Sequence, residues 1–272
     1  MKIRVLGCGT SSGVPMLGCD CAICTSDDPR NRRRRVSILV EDGDTRLLVD
    51  TSPDLREQLL DARVTRLDAV LYTHGHADHV HGLDDLRSVN YHMNAAIPAY
   101  GTARTIKSVR ERFDYVFSPP DGTWWTRPSL TPTAFDMADG AFSVGGINVR
   151  PFSQGHGRSE TTGFMFGGVA AYSTDVKTLE PDVLGMLKGI PLWIVDSLGY
   201  RDHPTHANLE ETMAWVEQVK PGLAVLTHMS HQFDYDTLMG ETPENVMPGI
   251  DGMELDVETA GVAGSGVRIY LP

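Results

Sequence analysis

The sequence lacks any uninterrupted apolar run of the roughly 20 residues that a membrane-spanning helix needs, although 41% of its 272 residues are hydrophobic. This composition predicts a globular protein with a sizeable core and no membrane span. The start, MKIRVLGCGTSSGVP, has too short an apolar run, broken by glycines, to act as a secretory signal. We therefore expect a cytoplasmic protein whose stability does not depend on disulfides.

Positive charge is also scarce, because 24 Lys and Arg residues stand against 36 Asp and Glu residues and give a formal net charge of −12. A chain this acidic repels polyanions overall, whereas proteins that bind long nucleic acids usually present a basic face. We therefore expect a small substrate, and we do not expect a nucleic acid as partner.

Two local features allow a second interpretation. The run of arginines at residues 32–35 is the only basic run, and guanidinium groups bind phosphate in a bidentate manner. We favour a solvated turn that leads into a strand at Ser37. The adjacent Trp124 and Trp125 are able to stack on a base, but tryptophan more often seals a core or a subunit interface, so we favour packing.

The pattern of apolar residues predicts an α/β fold, and we treat residues 1–272 as one domain. Helices are expected to begin near Pro53, His79 and Leu209, the last with Asn208 as its N-cap. Residues 91–140 are the least regular, and we expect an insertion or a lid-like loop there. Short apolar runs predict strands over residues 3–6, 37–40, 47–49, 69–73, 149–152, 169–173, 193–195 and 223–227.

Histidine and aspartate are concentrated in LYTHGHADHVHGLDD, residues 71–85, directly after an apolar run. Neutral imidazoles and carboxylates are suitable ligands for Zn²⁺, Mn²⁺ or Fe. A strand end and the tight turn after it can direct alternate side chains into one cavity. A single histidine would usually be structural, but four candidate ligands in the order H-x-H-x-D-H predict metal binding: His74, His76, Asp78 and His79.

Three further candidate ligands follow apolar runs elsewhere. His156 follows NVRPFSQG, Asp175 follows VAAYST, and His228 follows LAVLT. Each stands at the C-terminal end of a predicted strand, where α/β proteins commonly place their sites. Taken singly, each histidine is more often a hydrogen-bonded group than a ligand, and Asp175 is more often a helix cap. Together with the first four residues they supply the roughly six or seven ligands that a two-metal site needs.

This pattern, THGHADHVHG with the three later ligands, resembles the metallo-β-lactamase superfamily. The resemblance covers most of the chain and implies an αββα sandwich with a dinuclear metal site at one edge of two packed sheets. It also implies that Asp50 supports the site and that His81 is only a neighbour. The implied ligands form two sets and a bridge: His74, His76 and His156 for one metal; Asp78, His79 and His228 for the other; and Asp175 between them.

The start LGCGTSSGVP and the cysteines of GCDCAIC resemble the branch of this superfamily that includes phosphoribosyl 1,2-cyclic phosphate phosphodiesterase. The resemblance implies a structural zinc, held by a C-x-C-x-x-C cluster and a histidine three residues after the last catalytic one. Three thiolates and one imidazole form a closed tetrahedral zinc site, whereas a disulfide is disfavoured in a reducing compartment. Cys8 lies outside the cluster and is expected to pack in the interior. The implied zinc ligands are Cys19, Cys21, Cys24 and His231.

A phosphodiesterase also needs an acid for the leaving oxygen, because an alkoxide leaves poorly near neutral pH. His206, in HPTH at the start of the NLEET helix, matches the histidine that cyclic phosphodiesterases use as general acid or phosphate contact. The alternative is that His206 only packs against the helix, and the role of His203 stays open. The expected activity is hydrolysis of a small cyclic, phosphoribosyl cyclic phosphate-like diester by a hydroxide that bridges two Mn²⁺ or Zn²⁺ ions, with His206 and Asp78 as catalytic residues.

Other activities of the superfamily stay open from the sequence. Processing of tRNA 3′ ends needs similar ligands, but the acidic charge and the lack of an evident basic, glycine-rich arm count against it. Thioester or lactam hydrolysis is also compatible with the fold, but these reactions would not require the HPTH element. A metal-binding scaffold without turnover is a further alternative, against which the complete ligand set argues. The resemblance also implies a possible homodimer. It further implies a substrate that resembles a nucleotide or a sugar phosphate.

Overall fold

The structure is a computed structural model that describes residues 1–117, 129–258 and 266–272. Two β-sheets pack face to face, and helices cover both outer faces, so the predicted αββα sandwich is confirmed. The described strands are β1 (Lys2–Gly7), β2 (Ser37–Asp42), β3 (Thr45–Val49), β4 (Ala69–Leu71), β5 (Ile97–Thr102), β6 (Leu130–Phe135), β7 (Phe142–Val144), β8 (Ile147–His156), β9 (Ser159–Phe166), β10 (Ala170–Ser173), β11 (Leu192–Asp196), β12 (Leu223–Thr227), β13 (Val246–Pro248), β14 (Glu254–Val257) and β15 (Val267–Tyr270).

The described helices are short and connect or cover these strands. Short 3₁₀ helices occur at Pro29–Asn31, Leu83–Asp85 and Met137–Asp139. Every helix in the described ranges is too short or too polar to cross a membrane. The α-helices are α1 (Leu55–Asp61), α2 (Ala77–Val80), α3 (Leu86–Met93), α4 (Ala103–Arg112), α5 (Asp114–Phe117), α6 (Pro181–Leu187), α7 (Leu209–Val219) and α8 (Tyr235–Glu241).

Both sheets are mixed. The first has the order β15-β14-β1-β2-β3-β4-β5-β6, and the pairs from β3 to β6 are parallel. The second has the order β13-β12-β11-β10-β9-β8-β7, and the pairs from β10 to β13 are parallel. Because parallel strands end at the same edge, the C-terminal ends of β3 and β4 in one sheet, and of β10, β11 and β12 in the other, are available to form one site.

The apolar residues divide between two layers, as the side-chain alternation of a strand requires. In β2, Ile38 and Val40 face the core between the sheets, whereas Leu39 faces the outer helices. Leu59 of α1 and Val109 of α4 pack in that outer layer. Burial on both faces explains why the central strands read as continuous apolar runs.

The predicted helix at Leu209 is confirmed, with a reciprocal N-terminal cap. The Asn208 side chain accepts a hydrogen bond from the Glu211 backbone N–H, and the Glu211 carboxylate accepts one from the Asn208 N–H. Both bonds satisfy donors that the first helical turn would otherwise leave free. The predicted starts at Pro53 and His79 correspond to α1 and α2, which begin within two residues of them.

Two predictions about irregular segments need correction. An insertion or lid-like loop over residues 91–140 is wrong for the residues described there, because β5, α4, α5 and β6 occupy most of them. The strand signal is weak because a proline interrupts both strands, IPAYGT and LTPTAF, and a glycine also interrupts the first. Trp124 and Trp125 lie outside the described residues.

The arginine run is also different from the solvated turn that the sequence favoured. Arg33 is only 2% exposed, and its guanidinium donates to the backbone carbonyls of Ser230 and Phe233. Arg34 and Arg35 form ion pairs with Asp61 and Asp54, whereas Arg32 is exposed. Because most of the run is committed to intramolecular contacts, it does not form a free basic patch.

Candidate metal centre

The histidine-rich segment leaves the first sheet at the C-terminal end of β4. His74 lies in the turn after this strand, His76 is the N-cap residue of α2, and Asp78 and His79 lie within α2. A helix this short places side chains three residues apart on one face, so the turn and the helix direct His76 and His79 toward the same region.

A first group of candidate ligands lies around one oxygen of Asp175. Oδ1 of Asp175 is 3.8 Å from His74 Nε2 and 4.0 Å from His156 Nε2. His74 Nε2 is also 2.9 Å from His76 Nδ1. One ligand atom from each of the four residues lies within 4.8 Å of the others. Three imidazoles and a carboxylate at this spacing form a suitable donor set for a divalent transition metal.

A second group lies around the other oxygen of the same carboxylate. Oδ2 of Asp175 is 3.1 Å from His79 Nε2 and 3.5 Å from His228 Nε2. Asp78 Oδ2 is 3.3 Å from His79 Nε2 and 3.7 Å from His228 Nε2. The structure thus brings together all seven residues predicted for the dinuclear site, and Asp175 belongs to both groups. That they bind metals stays a prediction.

Hydrogen bonds to the ring nitrogens that face away from the centre fix the orientation of two of the histidines. His79 Nδ1 donates to Asp50 Oδ2 over 2.7 Å, and that carboxylate also accepts from the backbone and hydroxyl of Thr73. His156 Nδ1 donates to the carbonyl oxygen of Thr205 over 2.8 Å. Such contacts at the far nitrogen select the tautomer that leaves Nε2 free to bind a metal.

The backbone is strained at three of these positions. Asp50 has φ of 62°, Asp175 of 54° and His228 of 56°, all in the left-handed region that residues other than glycine rarely adopt. Each follows the last residue of a strand directly or by one position. Local strain of about 1–3 kcal/mol per residue persists only where the surroundings enforce it, and it is concentrated at functional sites.

The electrostatics of the centre suit cations. Burial opposes ionisation of Asp175, but the positive charges of His228 and His79 outweigh it and hold the pKa of this carboxyl well below its usual range. Burial and the neighbouring His79 lower the pKa of His74 well below its usual value, so this imidazole is neutral at pH 7. Burial lowers the pKa of His79 and of His228, but Asp175 and Asp78 outweigh it and raise both. Metal binding requires ionised carboxylates and neutral imidazoles, so a cation in the second group would displace the protons of these two histidines.

Unpartnered buried atoms provide a direct test of whether a metal would fit. His79 Nε2 and His228 Nε2 are buried and make no hydrogen bond of acceptable geometry with any described residue. Both atoms lie beside Asp78 and Asp175. Since an unsatisfied buried nitrogen costs about 1–3 kcal/mol, these residues fit a divalent cation that would accept both lone pairs.

The predicted general acid, His206, has a carboxylate partner that is not among the predicted site residues. His206 Nδ1 donates to Asp196 Oδ2 over 2.8 Å, and His206 Nε2 is 3.8 Å from Asp175 Oδ1. Asp196 is the last residue of β11, is fully buried, and also accepts from the Val176 backbone N–H. Its signal was present, since LWIVD ends an apolar run in aspartate as RLLVD does before the centre.

The other histidines of the region have more local contacts. His203 Nδ1 accepts a hydrogen bond from the Thr205 backbone N–H over 3.4 Å, and its ring centroid is 5.2 Å from that of His206. His81 packs edge-on against Phe113, with ring centroids 5.8 Å apart. Among the described residues, His81 belongs to neither of the two groups around Asp175.

The cysteines form a separate cluster. Cys19, Cys21 and Cys24 place their sulfur atoms within 4.8 Å of one another, and all four cysteines of the chain, which lie within residues 1–117, are free thiols. His231 is not part of this group at that spacing among the described residues, so its role in a zinc site stays a prediction. Cys8 is buried and donates to the carbonyl of Gly249, in agreement with the predicted packing role.

A family model described as a beta-lactamase superfamily domain matches residues 45–229 of the chain. The matched segment begins with β3 and ends just after His228, so it contains both groups around Asp175. The cysteine cluster precedes it.

A curated relative extends the likeness to nearly the whole chain. An octanoyltransferase of Porphyromonas gingivalis is 36% identical over 267 residues, which are 96% of this chain and 53% of that protein. The chain therefore spans about half the length of this relative.

Two solved structures resemble the fold closely. A diphosphatase from the PhnP family is 34% identical, with a TM-score of 0.87 over 95% of this chain and 98% of that one. Zinc-bound PqqB from Methylobacterium extorquens is 23% identical, with a TM-score of 0.79 over 94% of this chain and 100% of that one. The second likeness concerns the fold alone.

Proposed function

Because this chain belongs to the beta-lactamase superfamily of metallohydrolases, and within it to the PhnP family, we propose that it is a metal-dependent phosphodiesterase that hydrolyses a small cyclic phosphodiester. The observation that carries this proposal is the pair of ligand groups joined by Asp175, with His206 facing the same carboxylate. A reaction at phosphorus needs charge neutralisation on the phosphoryl oxygens and an acid for the leaving group, and the arrangement offers both.

The two groups around Asp175 would each hold one divalent cation, Mn²⁺ or Zn²⁺. When bound, such a pair lowers the pKa of the attacking water and neutralises charge on the phosphoryl oxygens. Asp175 sets the spacing between the groups, because its two oxygens face different histidines. Asp50 keeps the His79 ring in place through its hydrogen bond to Nδ1.

His206 would deliver the proton to the leaving oxygen from Nε2. Its Nδ1–H is committed to Asp196, so Nε2 is the nitrogen that faces Asp175 and the space beside it. The Asp196 carboxylate fixes the orientation of the ring and its tautomer, as the carboxylate partner of a catalytic histidine does in general. This pairing favours a general acid over a histidine that only packs against α7.

Support for phosphorus chemistry also comes from the diphosphatase, which aligns with this chain over nearly the full length of both. A zinc ion bound at the cysteine cluster would have a structural role, because three thiolates and an imidazole leave no open position for a substrate. Cys19, Cys21, Cys24 and His231 would hold it, and this site would stabilise the N-terminal loop rather than react.

Acyl ester or thioester hydrolysis is the second candidate. It is suggested by the similarity to the P. gingivalis octanoyltransferase, because an octanoyltransferase acts on an acyl group. That protein extends well beyond the part matched here, because the match covers 53% of it. The Asp196–His206 pair favours the phosphodiester, since a thiolate departs without protonation whereas a sugar alkoxide does not.

The test is a comparison of substrate classes on the metal-loaded protein. We expect hydrolysis of bis-p-nitrophenyl phosphate and of a cyclic ribose phosphate, with less activity on an octanoyl thioester and none on a precursor tRNA. Faster cleavage of the thioester than of both phosphodiesters would replace this proposal with the acyl alternative. Efficient 3′ processing of the tRNA would replace it with endoribonuclease activity.

A further inference from the structure

The segment that follows β10, residues 175–178, connects the candidate metal centre to the loop that carries His206. Asp175 begins the segment as the carboxylate shared by both ligand groups. The next residue, Val176, donates its backbone N–H to Asp196 Oδ2 over 2.9 Å, and its carbonyl accepts from the Ala207 N–H over 2.8 Å. The segment therefore contacts both the carboxylate partner of His206 and the residue directly after it.

The same segment is bound to the end of β8, next to the candidate ligand His156. The backbone N–H groups of Lys177 and Thr178 both donate to the Gly155 carbonyl, over 2.7 and 3.2 Å. This close approach requires glycine at position 155, because a Cβ there would lie 2.1 Å from Thr178 Oγ1. Residues 175–178 thus form a junction between two candidate metal ligands and the loop of the candidate acid.

The side chain of Lys177 adds an ionic contact to this junction. Its Nζ donates to Asp202 Oδ1 over 2.7 Å and to the two carboxylate oxygens of Glu211 over 2.7 and 2.9 Å. The side chain is only 19% exposed, so its ion pairs are less screened than those on an open surface. An ammonium has three N–H donors, and these contacts use all three, which leaves none for a substrate.

The two carboxylates lie on either side of His206 in the chain. Asp202 precedes it in the loop of residues 197–208, and Glu211 follows it in the first turn of α7. Glu211 Oε2 also accepts from the Asn208 backbone N–H over 2.9 Å. Residues 197–208 contain no helix or strand, so contacts of this kind determine the conformation of the loop. Lys177 therefore restrains His206 from both directions.

From these contacts we propose that Lys177 is a positioning residue, whose ammonium group holds the loop so that His206 Nε2 faces the space beside Asp175. This inference rests on the proposed function, because it concerns the acid of the same site. Lys177 acts through His206 and has no contact of its own with the reacting atoms. A misplacement of about 1 Å can reduce the rate of a reaction roughly 10²-fold, so loss of this restraint should be visible in turnover.

The first experiment measures how the rate depends on the leaving group. We would compare kcat for a cyclic ribose phosphate and for bis-p-nitrophenyl phosphate in the metal-loaded wild type, Lys177→Met, Asp202→Asn and Lys188→Met. Lys177→Met should reduce kcat about 10- to 100-fold for the cyclic ester and much less for the aryl ester, because a nitrophenolate needs no acid. Asp202→Asn should change the ratio of the two rates in the same direction but less.

Two variants keep this comparison interpretable. Lys188→Met is the matched control, because Lys188 is exposed at the end of α6, and it should leave the ratio unchanged. Asp202 has a side chain that is 82% exposed, so Asp202→Asn should fold even if Lys177→Met does not. A ratio equal to that of the wild type in every variant that folds, or equal losses on the two substrates, would overturn the positioning role.

The second experiment requires no turnover, so it separates failure of this inference from failure of the proposed function. In the zinc-loaded protein, the Nδ1 proton that His206 donates to Asp196 is followed by ¹H NMR as the resonance that His206→Ala removes. Its exchange with solvent should be faster in Lys177→Met and in Asp202→Asn and unchanged in Lys188→Met. Faster exchange in a protein that cleaves no phosphodiester would support the positioning role and reject the proposed function. Exchange at the wild-type rate in Lys177→Met and Asp202→Asn would overturn the positioning role.

Discussion

The role of His206 leads to the sharpest mutational prediction. Replacing His206 with alanine removes the proposed proton donor and leaves Asp196 Oδ2 with the Val176 backbone N–H as its one hydrogen-bond partner among the described residues. Loss of general acid catalysis should reduce kcat about 10²–10⁴-fold for an alkyl leaving group. The loss should be much smaller for an aryl ester, because a nitrophenolate departs without protonation.

The same substitution has a predictable cost in stability. Asp196 is fully buried, and its Oδ1 already has no hydrogen-bond partner among the described residues. Loss of this hydrogen bond to the buried carboxylate should lower the free energy of unfolding by about 1–3 kcal/mol. In a protein of this size, each kcal/mol corresponds to a decrease of roughly 2–4 °C in Tm. The variant should therefore remain folded at assay temperature.

The assay compares a cyclic ribose phosphate with bis-p-nitrophenyl phosphate in the wild type, His206→Ala and His203→Ala. His203 is the matched control, because it lies in the same loop and its hydrogen bonds within the described part of the chain go to Thr205. Only His206→Ala should change the ratio of the two rates. Equal losses on both substrates would refute proton donation and indicate a role in phosphate binding, and no loss on either would leave His206 as a packing residue.

Three further predictions follow from other contacts. Asp175→Asn should reduce activity steeply and lower the metal content of the centre with little loss of folding, because it removes the charge shared by the two groups; full activity with full metal content would contradict the bridging role. Cys24→Ser should lower Tm and should also lower the zinc content by about one equivalent per chain. The control Cys8→Ala should leave the zinc content unchanged. Equal zinc content in Cys24→Ser and the wild type would refute the structural site. Burial raises the pKa of Asp251 to about 6, so the contribution of this group to the free energy of unfolding is present below about pH 4 and is lost as pH rises through 6. The difference in unfolding free energy between the wild type and Asp251→Asn should therefore fall by about 2 kcal/mol from pH 4 to pH 7 in denaturant titrations, and a difference independent of pH would contradict it.

Much of the candidate site was predictable from the sequence, because of one rule about strands. Residues that follow buried strands collect at one edge when those strands run in the same direction. His74, Asp175 and His228 each follow such a strand, and the structure brings them together. The rule is local in sequence, so it needed no knowledge of which strands are neighbours.

The same rule extends to Asp196, the last residue of β11, but it does not predict contacts made by helices. Arg104 and Arg112 lie beside the turn that carries His74 and His76, because α4 packs against that turn at Gly75. That packing depends on long-range geometry that periodicity does not encode. The burial of Arg33 was unpredictable for a similar reason, since its carbonyl partners, Ser230 and Phe233, are about 200 residues away in the chain.

The central claim, that this protein hydrolyses a cyclic phosphodiester with divalent metals, is tested most directly by ³¹P NMR. The metal-loaded protein is incubated with a five-membered cyclic phosphate of ribose, before and after chelation and after Mn²⁺ or Zn²⁺ is restored. We predict conversion of the cyclic diester signal into that of a phosphomonoester, lost on chelation and recovered with metal. A cyclic diester that persists with the fully metal-loaded protein, or that is cleaved at the same rate after chelation, would contradict the account.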